Sequence, residues 1–248
     1  YFKVDGWNTY VSGNYLCLQN YNAYIPNNGG PIENGVKAIY FNPVSGDDTN
    51  HGHSYNYPVK TWERVEELNI HNLPVYIMAQ WDITESTTIN GHGWTLYRHY
   101  ESSSSVYTGS LFNVTGNETC LTINNLIIHG NFRGYRLGIA TNTTNVSANA
   151  PIIKAEENTT IILNDSAIKG AFTNYNNSVI AVSSNGNFIA INCEFNELYE
   201  NSNANTSRIF NFGGDINRQI LFKGCYFTLC RNAWSNAAVT THIINVNG

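Results

Sequence analysis

The chain has 248 residues, of which 42% are hydrophobic and only 12% charged, and its net charge is −5 at neutral pH. It contains no cluster of lysine or arginine, which argues against nucleic acid as a partner, and no apolar run approaches the roughly 20 residues of a membrane helix. The five cysteines form no complete set of pairs and show no metal-ligand spacing, so neither a metal nor a cofactor is expected.

Residues 1–35 are rich in aromatic side chains and contain no repeat. We expect this segment either to pack on the rest of the chain or to belong to a preceding module. The main domain is therefore predicted over residues 36–248.

A short helix is predicted at the start of the main domain. The stretch SGDDTNHG is a turn cluster, and Pro58 after it can open a helix at its first position. Four apolar residues follow at three-residue steps from Val59 to Leu68 and make one apolar side. The pattern predicts a helix over residues 58–69 that covers the open end of the fold.

Strand-rich segments fill the rest of the chain, first PVYIMAQWDI and STTINGHGWTLYRHY, and then four repeat blocks. The blocks begin at Leu111, Ile152, Val179 and Ile209, so their starts lie 41, 27 and 30 residues apart. Each block has an alternating apolar stretch, a polar turn and a second alternating stretch. A fifth block opens as HIINVNG, and the sequence ends inside it, so we expect the chain to be part of a longer protein.

Each block closes on a short signature: NL-x-I, DS-x-I, NC-x-F and GC-x-F. We expect Cys193 and Cys225 to occupy the same inward position in neighbouring repeats, with Ser166 and Leu126 in line. Unpaired, buried thiols that act as small apolar fillers are favoured over a disulfide or a reactive thiol. The asparagine before this position can form an amide ladder from repeat to repeat.

Short strands that recur every ~25–35 residues predict a β-solenoid, because one repeat cannot bury its apolar positions alone. The alternative is an antiparallel sandwich, which also uses short strands with turns. A sandwich does not require the same small residue at the same offset in four repeats, so the solenoid is favoured.

The turn VSGDDTNHG with YPVKTW after it resembles the N-terminal cap of right-handed parallel β-helix proteins of the pectate-lyase-like superfamily. The repeat blocks resemble those of bacterial surface β-helix proteins, including polymorphic outer-membrane-type adhesins. The resemblance spans residues 36–248 and implies an all-β, right-handed parallel β-helix with a short N-terminal capping helix. The superfamily contains lyases, hydrolases, epimerases, tailspikes and adhesins, so the resemblance implies no single activity.

Catalytic chemistry is the less favoured interpretation. Glu194 is expected to point outward, in line with Ile127, Ala167 and Tyr226, and no two carboxylates recur at a spacing that would stack them. Glu156 and Glu157 are expected in a turn and Asp165 at the ladder position, and the remaining acids of the repeats are few: Glu118, Glu197, Glu200 and Asp215. Elsewhere, His92 and His129 are expected as isolated surface or turn residues. Asp47, Asp48 and Asn50 offer oxygens to Ca²⁺, but a helix-capping turn is favoured over a calcium site.

The favoured function is an extracellular, adhesin-like binding module of a larger, anchored or secreted bacterial surface protein, with a host protein or glycan as ligand. A carbohydrate-active enzyme fragment (polysaccharide lyase, glycoside hydrolase or epimerase) and a purely structural stalk are the alternatives. The longest insertion between repeats carries the predicted binding residues Phe132, Arg133, Tyr135 and Arg136. In the alternative interpretation, the two aromatic side chains cover the solenoid wall and the arginines are solvated.

Overall fold

The fold was analysed in a computed structural model. It describes residues 7–12, 15–20, 38–70, 72–99, 109–130, 150–174, 178–201, 208–213, 218–228, 230–232 and 242–246. Within these ranges the chain is all-β with one helix. The predicted binding residues fall in the segment 131–149 and lie outside the described residues.

The secondary-structure elements are short and follow one another closely. In chain order they are β1 (Trp7–Ser12), β2 (Tyr15–Asn20), β3 (Ile39–Phe41), α1 (Trp62–Leu68), β4 (Val75–Ile77), β5 (Trp81–Ile83), β6 (Thr87–Asn90), β7 (Thr95–Arg98), β8 (Phe112–Val114), β9 (Cys120–Asn124), β10 (Ile127–His129), β11 (Ile153–Ala155), β12 (Thr160–Asn164), β13 (Ala167–Asn174), β14 (Ile180–Val182), β15 (Asn187–Ile191), β16 (Glu194–Asn201), β17 (Arg208–Phe212), β18 (Ile220–Lys223), β19 (Tyr226–Thr228), β20 (Arg231–Asn232) and β21 (His242–Val246).

Three parallel sheets contain all of these strands except β1 and β2, which form an antiparallel hairpin. The first sheet has eight strands in the order β19-β16-β13-β10-β7-β4-β3, with β20 also paired to β16. The second has six strands in the order β21-β17-β14-β11-β8-β5, and the third has five in the order β18-β15-β12-β9-β6. The parallel pairing in these three sheets of the described residues contradicts an antiparallel sandwich and is consistent with a parallel β-solenoid.

The register of the second sheet confirms the repeat that the sequence predicts. Phe112 pairs with Ile153, Ile153 with Ile180, and Ile180 with Phe210, so the paired positions repeat the predicted block spacing. The fifth block supplies the next strand, in which Ile244 pairs with Phe210. Residues of equivalent position in successive blocks therefore lie beside one another.

A single hydrophobic core runs between the three sheets. Strand burial alternates, as in β3, β4 and β8, whose middle residues point outward, and the inward side chains form one continuous cluster. The core is mainly Ile, Val, Leu and Phe, which are the side chains that fit a pleated surface with little loss of conformational freedom.

The signature position lies in line in neighbouring repeats, as expected. Cys193 and Ser166 are buried, and the Cys193 sulfur lies 3.4 Å from the Leu163 carbonyl of the preceding repeat. The Cys225 sulfur repeats this geometry with the Ala190 carbonyl at 3.3 Å. Neither cysteine is in a disulfide, and burial raises the pKa of the Cys193 thiol to about 11, so this thiol is a packed filler.

The residue before this position takes a left-handed backbone conformation in each repeat. The φ angles are 50° at Asn125, 48° at Asp165, 53° at Asn192 and 63° at Gly224. Asn, Asp and Gly tolerate this conformation best, which explains why the signature begins with one of them. The side chain of Asn192 donates to Asp165 across one step, at 3.1 Å.

The longer amide ladder stands one residue earlier than predicted. Asn164 donates to Asn124 at 3.0 Å, and Asn124 donates to Asn90 at 3.1 Å, at the ends of β12, β9 and β6. The predicted ladder at the bend is therefore present for one step, from Asn192 to Asp165, and the longer ladder stands one residue earlier. In each repeat, the residue with the left-handed backbone is Asn, Asp or Gly because these residue types tolerate a positive φ.

The helix lies inside the predicted range but begins at Trp62 instead of Pro58. Val59 is extended and pairs with Phe41 in a parallel bridge, so it cannot belong to the helix. The carboxylate of Asp48 accepts from the backbone N–H groups of Lys60 and Thr61 at 2.8 and 3.0 Å and from the Thr61 hydroxyl at 2.9 Å. The capping-turn interpretation is confirmed, and these contacts occupy both carboxylate oxygens.

Asp48 is expected to make stability depend on pH. Burial raises the pKa of its carboxyl, but the hydrogen bonds from Thr61 and Lys60 together outweigh burial and hold the pKa below 3.8. A carboxyl whose pKa is lower in the folded chain stabilises fully above about pH 5, and this contribution is lost as the pH falls through the folded value. Asp48→Ala should cost about 1 kcal/mol at neutral pH, because the two N–H groups lose their acceptor.

Thermal unfolding followed by circular dichroism between pH 7 and pH 3 measures this effect. The difference in melting temperature between wild type and Asp48→Ala should shrink as the pH falls. Glu85→Ala is the matched control, since this exposed carboxylate has no hydrogen bond to the described residues. A difference that stays constant over the whole pH range would contradict the role given to Asp48.

Candidate binding face

The outer face of the eight-stranded sheet carries a row of aromatic side chains, one from each of four adjacent strands. Tyr40 pairs with Tyr76, Tyr76 with Tyr97, and Tyr97 with His129, so the four side chains leave the sheet at the same level. All four are half-buried and face outward, while the residues on either side of each are buried. We call these four residues the tyrosine row.

The rings of the tyrosine row stack on one another. Their centroids are 5.6 Å apart between Tyr40 and Tyr76, 5.6 Å between Tyr76 and Tyr97, and 4.9 Å between Tyr97 and His129. The interplanar angle is 25° for Tyr40 and Tyr76, which are stacked, and 34° and 41° for the next two pairs, which are tilted; none of the three pairs is edge-to-face. The ring faces are therefore turned toward one another, and the row presents ring edges and polar groups outward.

A second group of aromatic side chains flanks the row at its Tyr40 end. His99 is buried against Tyr40, with centroids 6.1 Å apart, and the half-exposed ring of Tyr55 lies 5.0 Å from His99. His51 stacks on His53 at 5.9 Å in the same turn region. Tyrosine and histidine are thus concentrated at this part of the surface.

Beyond His129 the row continues with Lys169 and Asn196, which pair in register on the next two strands. The Lys169 ammonium lies 2.6 Å from the Glu194 carboxylate, which also accepts from the Asn196 side chain at 3.1 Å. The hydrogen bond from Lys169 lowers the pKa of Glu194. The charges of this pair largely cancel, so the face as described is polar but close to neutral.

Gly170 makes room for the histidine of the row. It has φ +55°, and a Cβ placed there would lie 2.5 Å from the His129 ring. Any side chain at this position would push the imidazole away from its place beside Tyr97. Glycine is therefore required both by the backbone angle and by the imidazole packed against it.

Such a face can bind a ligand that offers hydroxyl groups and apolar edges. Tyrosine hydroxyls, the imidazole and the Lys169–Glu194 pair supply donors and acceptors at a spacing of one strand, and the half-buried rings are already held in place. Because the rings lie against one another, a ligand is expected to contact the row along its length and not to insert between two rings. Among the described residues, no group of three His, Cys, Asp or Glu side chains could hold a metal ion.

Two other candidates from the sequence can be placed, Glu194 on this same face and His92 in a turn. Glu194 points outward in register with Ile127, Ala167 and Tyr226, as predicted. His92 lies in a turn with φ 53°, where its ring is 3.2 Å from the Glu66 carboxylate.

Two further expectations concern His129 and the acids between β11 and β12. His129 is part of a strand and of the tyrosine row, so its interpretation as an isolated residue was wrong. Glu156 and Glu157 follow β11 at a turn, as predicted.

Sequence reasoning missed the tyrosine row, although a signal for it exists. Its members occupy the outward position of four similar stretches, AIYF, VYIM, TLYR and IIHG. An aromatic residue at that position in successive strands predicts a stack once the strands are known to be parallel and in register. The first three stretches precede the repeat blocks that set the register, so the pattern of the blocks does not align them.

Comparison with known proteins leaves the chain to be interpreted from its own structure. No family model, no curated protein and no solved structure matches it at a significant level. Within the described part of the chain, no helix is long and apolar enough to cross a membrane.

Proposed function

We propose that this chain is a right-handed parallel β-helix that acts as an extracellular binding module of a bacterial surface protein, adhesin-like in character. Its ligand is a glycan that lies along the outer face of the eight-stranded sheet. The tyrosine row is the observation that carries this proposal. Four half-buried rings in register offer a continuous line of pre-positioned aromatic edges and polar groups, with little ordering left to occur on binding.

A glycan is favoured over a protein ligand by the chemistry of the face. Specific protein interfaces centre on a few fully desolvated anchors in pockets, whereas the rings here stack on one another and present their edges outward. Sugars combine apolar C–H surfaces with closely spaced hydroxyl groups, which matches this alternation of ring and polar atoms. The near-neutral Lys169–Glu194 pair adds a donor and an acceptor without favouring a charged polymer.

The test is Tyr97→Ala, which removes the ring between Tyr76 and His129. On a glycan array, wild-type protein should bind a defined set of glycans, and the variant should lose at least about tenfold in affinity, since one aromatic contact contributes on the order of 1 kcal/mol and its loss also loosens the neighbouring rings. Tyr226→Ala is the matched control: it removes a tyrosine of the same sheet that is 74% exposed and stands outside the row.

Melting temperatures show whether a variant that has lost glycan binding is still folded. Equal glycan binding by wild type and Tyr97→Ala, with Tyr226→Ala also unchanged, would exclude the row as the binding surface. Capture of a host protein by wild type, with no glycan bound, would move the proposal to a protein ligand. The loop residues Phe132, Arg133, Tyr135 and Arg136 stay a prediction, and Arg133→Ala with Tyr135→Ala tests them in the same assay.

A further inference from the structure

A second candidate site is a cavity beside the start of α1. A cavity of about 290 Å³ opens between the start of α1, the turn after β3 and strand β5. The side chains that shape it are those of Val44, Lys60, Glu63, Gln80, Trp81 and Asp82. No member of the tyrosine row lines it, so the two surfaces can be tested independently.

An aromatic wall forms one side of the cavity. Trp81 pairs with Phe112, which is fully buried, but Trp81 itself remains partly exposed, because β5 is the edge strand of its sheet in the described structure. Trp62 stacks on it at 6.0 Å with an interplanar angle of 28°, and Phe41 meets it edge-on at 5.0 Å. These contacts fix the Trp81 ring, and the part that they leave uncovered lines the cavity.

Polar groups with unused hydrogen-bonding capacity surround this wall. One oxygen of Asp82, Oδ1, accepts from Gln80 at 2.7 Å and from Asn113 at 2.8 Å, which holds the carboxylate in position. Its Oδ2 has no hydrogen bond to the described residues, and the same is true of the Lys60 ammonium and the Glu63 carboxylate. The rim therefore offers one cationic donor and three or more acceptor oxygens.

We propose that this cavity binds one neutral, pyranose-sized saccharide residue. The C–H face of a sugar ring packs on an aromatic side chain, while its hydroxyl groups donate to carboxylates and accept from an ammonium. The volume lies at the lower end of the range of small-molecule sites, which suits a single ring and not a chain threaded through. Two carboxylates against one ammonium disfavour sugar acids, because their carboxylates would be repelled.

The experiment titrates the intact chain with glucose, galactose, mannose, N-acetylglucosamine and glucuronate, followed by saturation-transfer NMR and by the indole N–H signals of the protein. At least one neutral sugar should bind saturably, with an affinity on the order of 1 mM, and should shift the Trp81 indole signal. Glu63→Ala and Lys60→Ala should each weaken this binding at least about threefold, the lower end of the range for losing one hydrogen bond.

Glu85→Ala and Lys223→Ala are the matched controls, since each removes an exposed charge from a residue that does not line the cavity. Both rim variants should keep the wild-type melting temperature, because neither side chain has a hydrogen bond or ion pair with the described residues. Absence of saturable binding for all four neutral sugars would overturn the proposal. So would unchanged affinity in both rim variants, or glucuronate as the preferred ligand. Tyr97→Ala should bind these monosaccharides as wild type does, so failure at one site does not imply failure at the other.

Discussion

Replacing Trp62 by alanine is expected to lower the free energy of unfolding by about 3–5 kcal/mol, the range for removing a large buried aromatic side chain. Trp62 is only 5% exposed. Its ring lies 6.0 Å from Phe41 in the edge strand of the eight-stranded sheet and 6.0 Å from Trp81 in the edge strand of the six-stranded sheet. Its indole N–H donates to the Asn90 carbonyl in the edge strand of the five-stranded sheet, at 3.4 Å.

One side chain thus contacts the terminal strand of all three parallel sheets. Its loss would open a cavity at the place where no further strand of the described structure covers the core, so water would reach the buried face of Phe41 and Trp81. Because each strand pairs only with the strands before and after it, the damage should be greatest in β3 to β6 and should decrease along the stack.

Chemical denaturation gives the free energy, and hydrogen exchange with mass spectrometry gives its location. Trp62→Phe is the control, since a smaller aromatic ring retains part of the packing and should cost clearly less. Val44→Ala, at a residue 65% exposed in the adjoining turn, should change little. A Trp62→Ala variant with wild-type protection in β3 to β6 would show that the helix does not hold this end together.

The part of the fold that could be predicted from sequence is the part that recurs. Four blocks carry the same apolar alternation, and stacking places equivalent residues side by side, so the spacing of the blocks alone predicts the register of Phe112, Ile153, Ile180 and Phe210. The inward position of Cys193 follows from the same alignment of the blocks. Because each structural position occurs once in every block, the repeated pattern compensates for the weak sequence signal of a single three-residue strand.

The features that could not be predicted depend on contacts between segments that do not recur. The helix begins at Trp62 because Val59 is held in an extended bridge with Phe41, a partner eighteen positions earlier that no local pattern reveals. Similarly, the tyrosine row depends on the register of β3 and β4 with β7, before the repeats begin. The cavity beside Trp81 arises from the geometry of one turn and one edge strand, which composition and spacing do not specify.

Phe210→Ala is expected to have an effect of similar size at the other end of the described stack. Phe210 is fully buried in β17, and its ring meets Phe195 at 5.0 Å and 86°, and Phe222 at 5.5 Å and 86°. Such edge-to-face pairs add to the free energy of burial. Truncation should therefore lower the free energy of unfolding by about 3–5 kcal/mol, through lost burial, lost ring contacts and the cavity left behind.

Phe227→Ala provides the matched comparison, because Phe227 belongs to the same aromatic cluster, 5.9 Å from Phe210, but is 38% exposed. Its truncation removes less buried surface and leaves a space that solvent can fill, so it should cost clearly less than that of Phe210. Hydrogen exchange should place the Phe210→Ala effect in β14 to β18, while β3 to β6 keep their wild-type protection. Trp62→Ala and Phe210→Ala should then loosen opposite ends of the described stack. The reason is that the stability of each solenoid turn depends mainly on its contacts with the neighbouring turns. Uniform loss of protection in both variants would instead mean that the three sheets unfold as one cooperative unit.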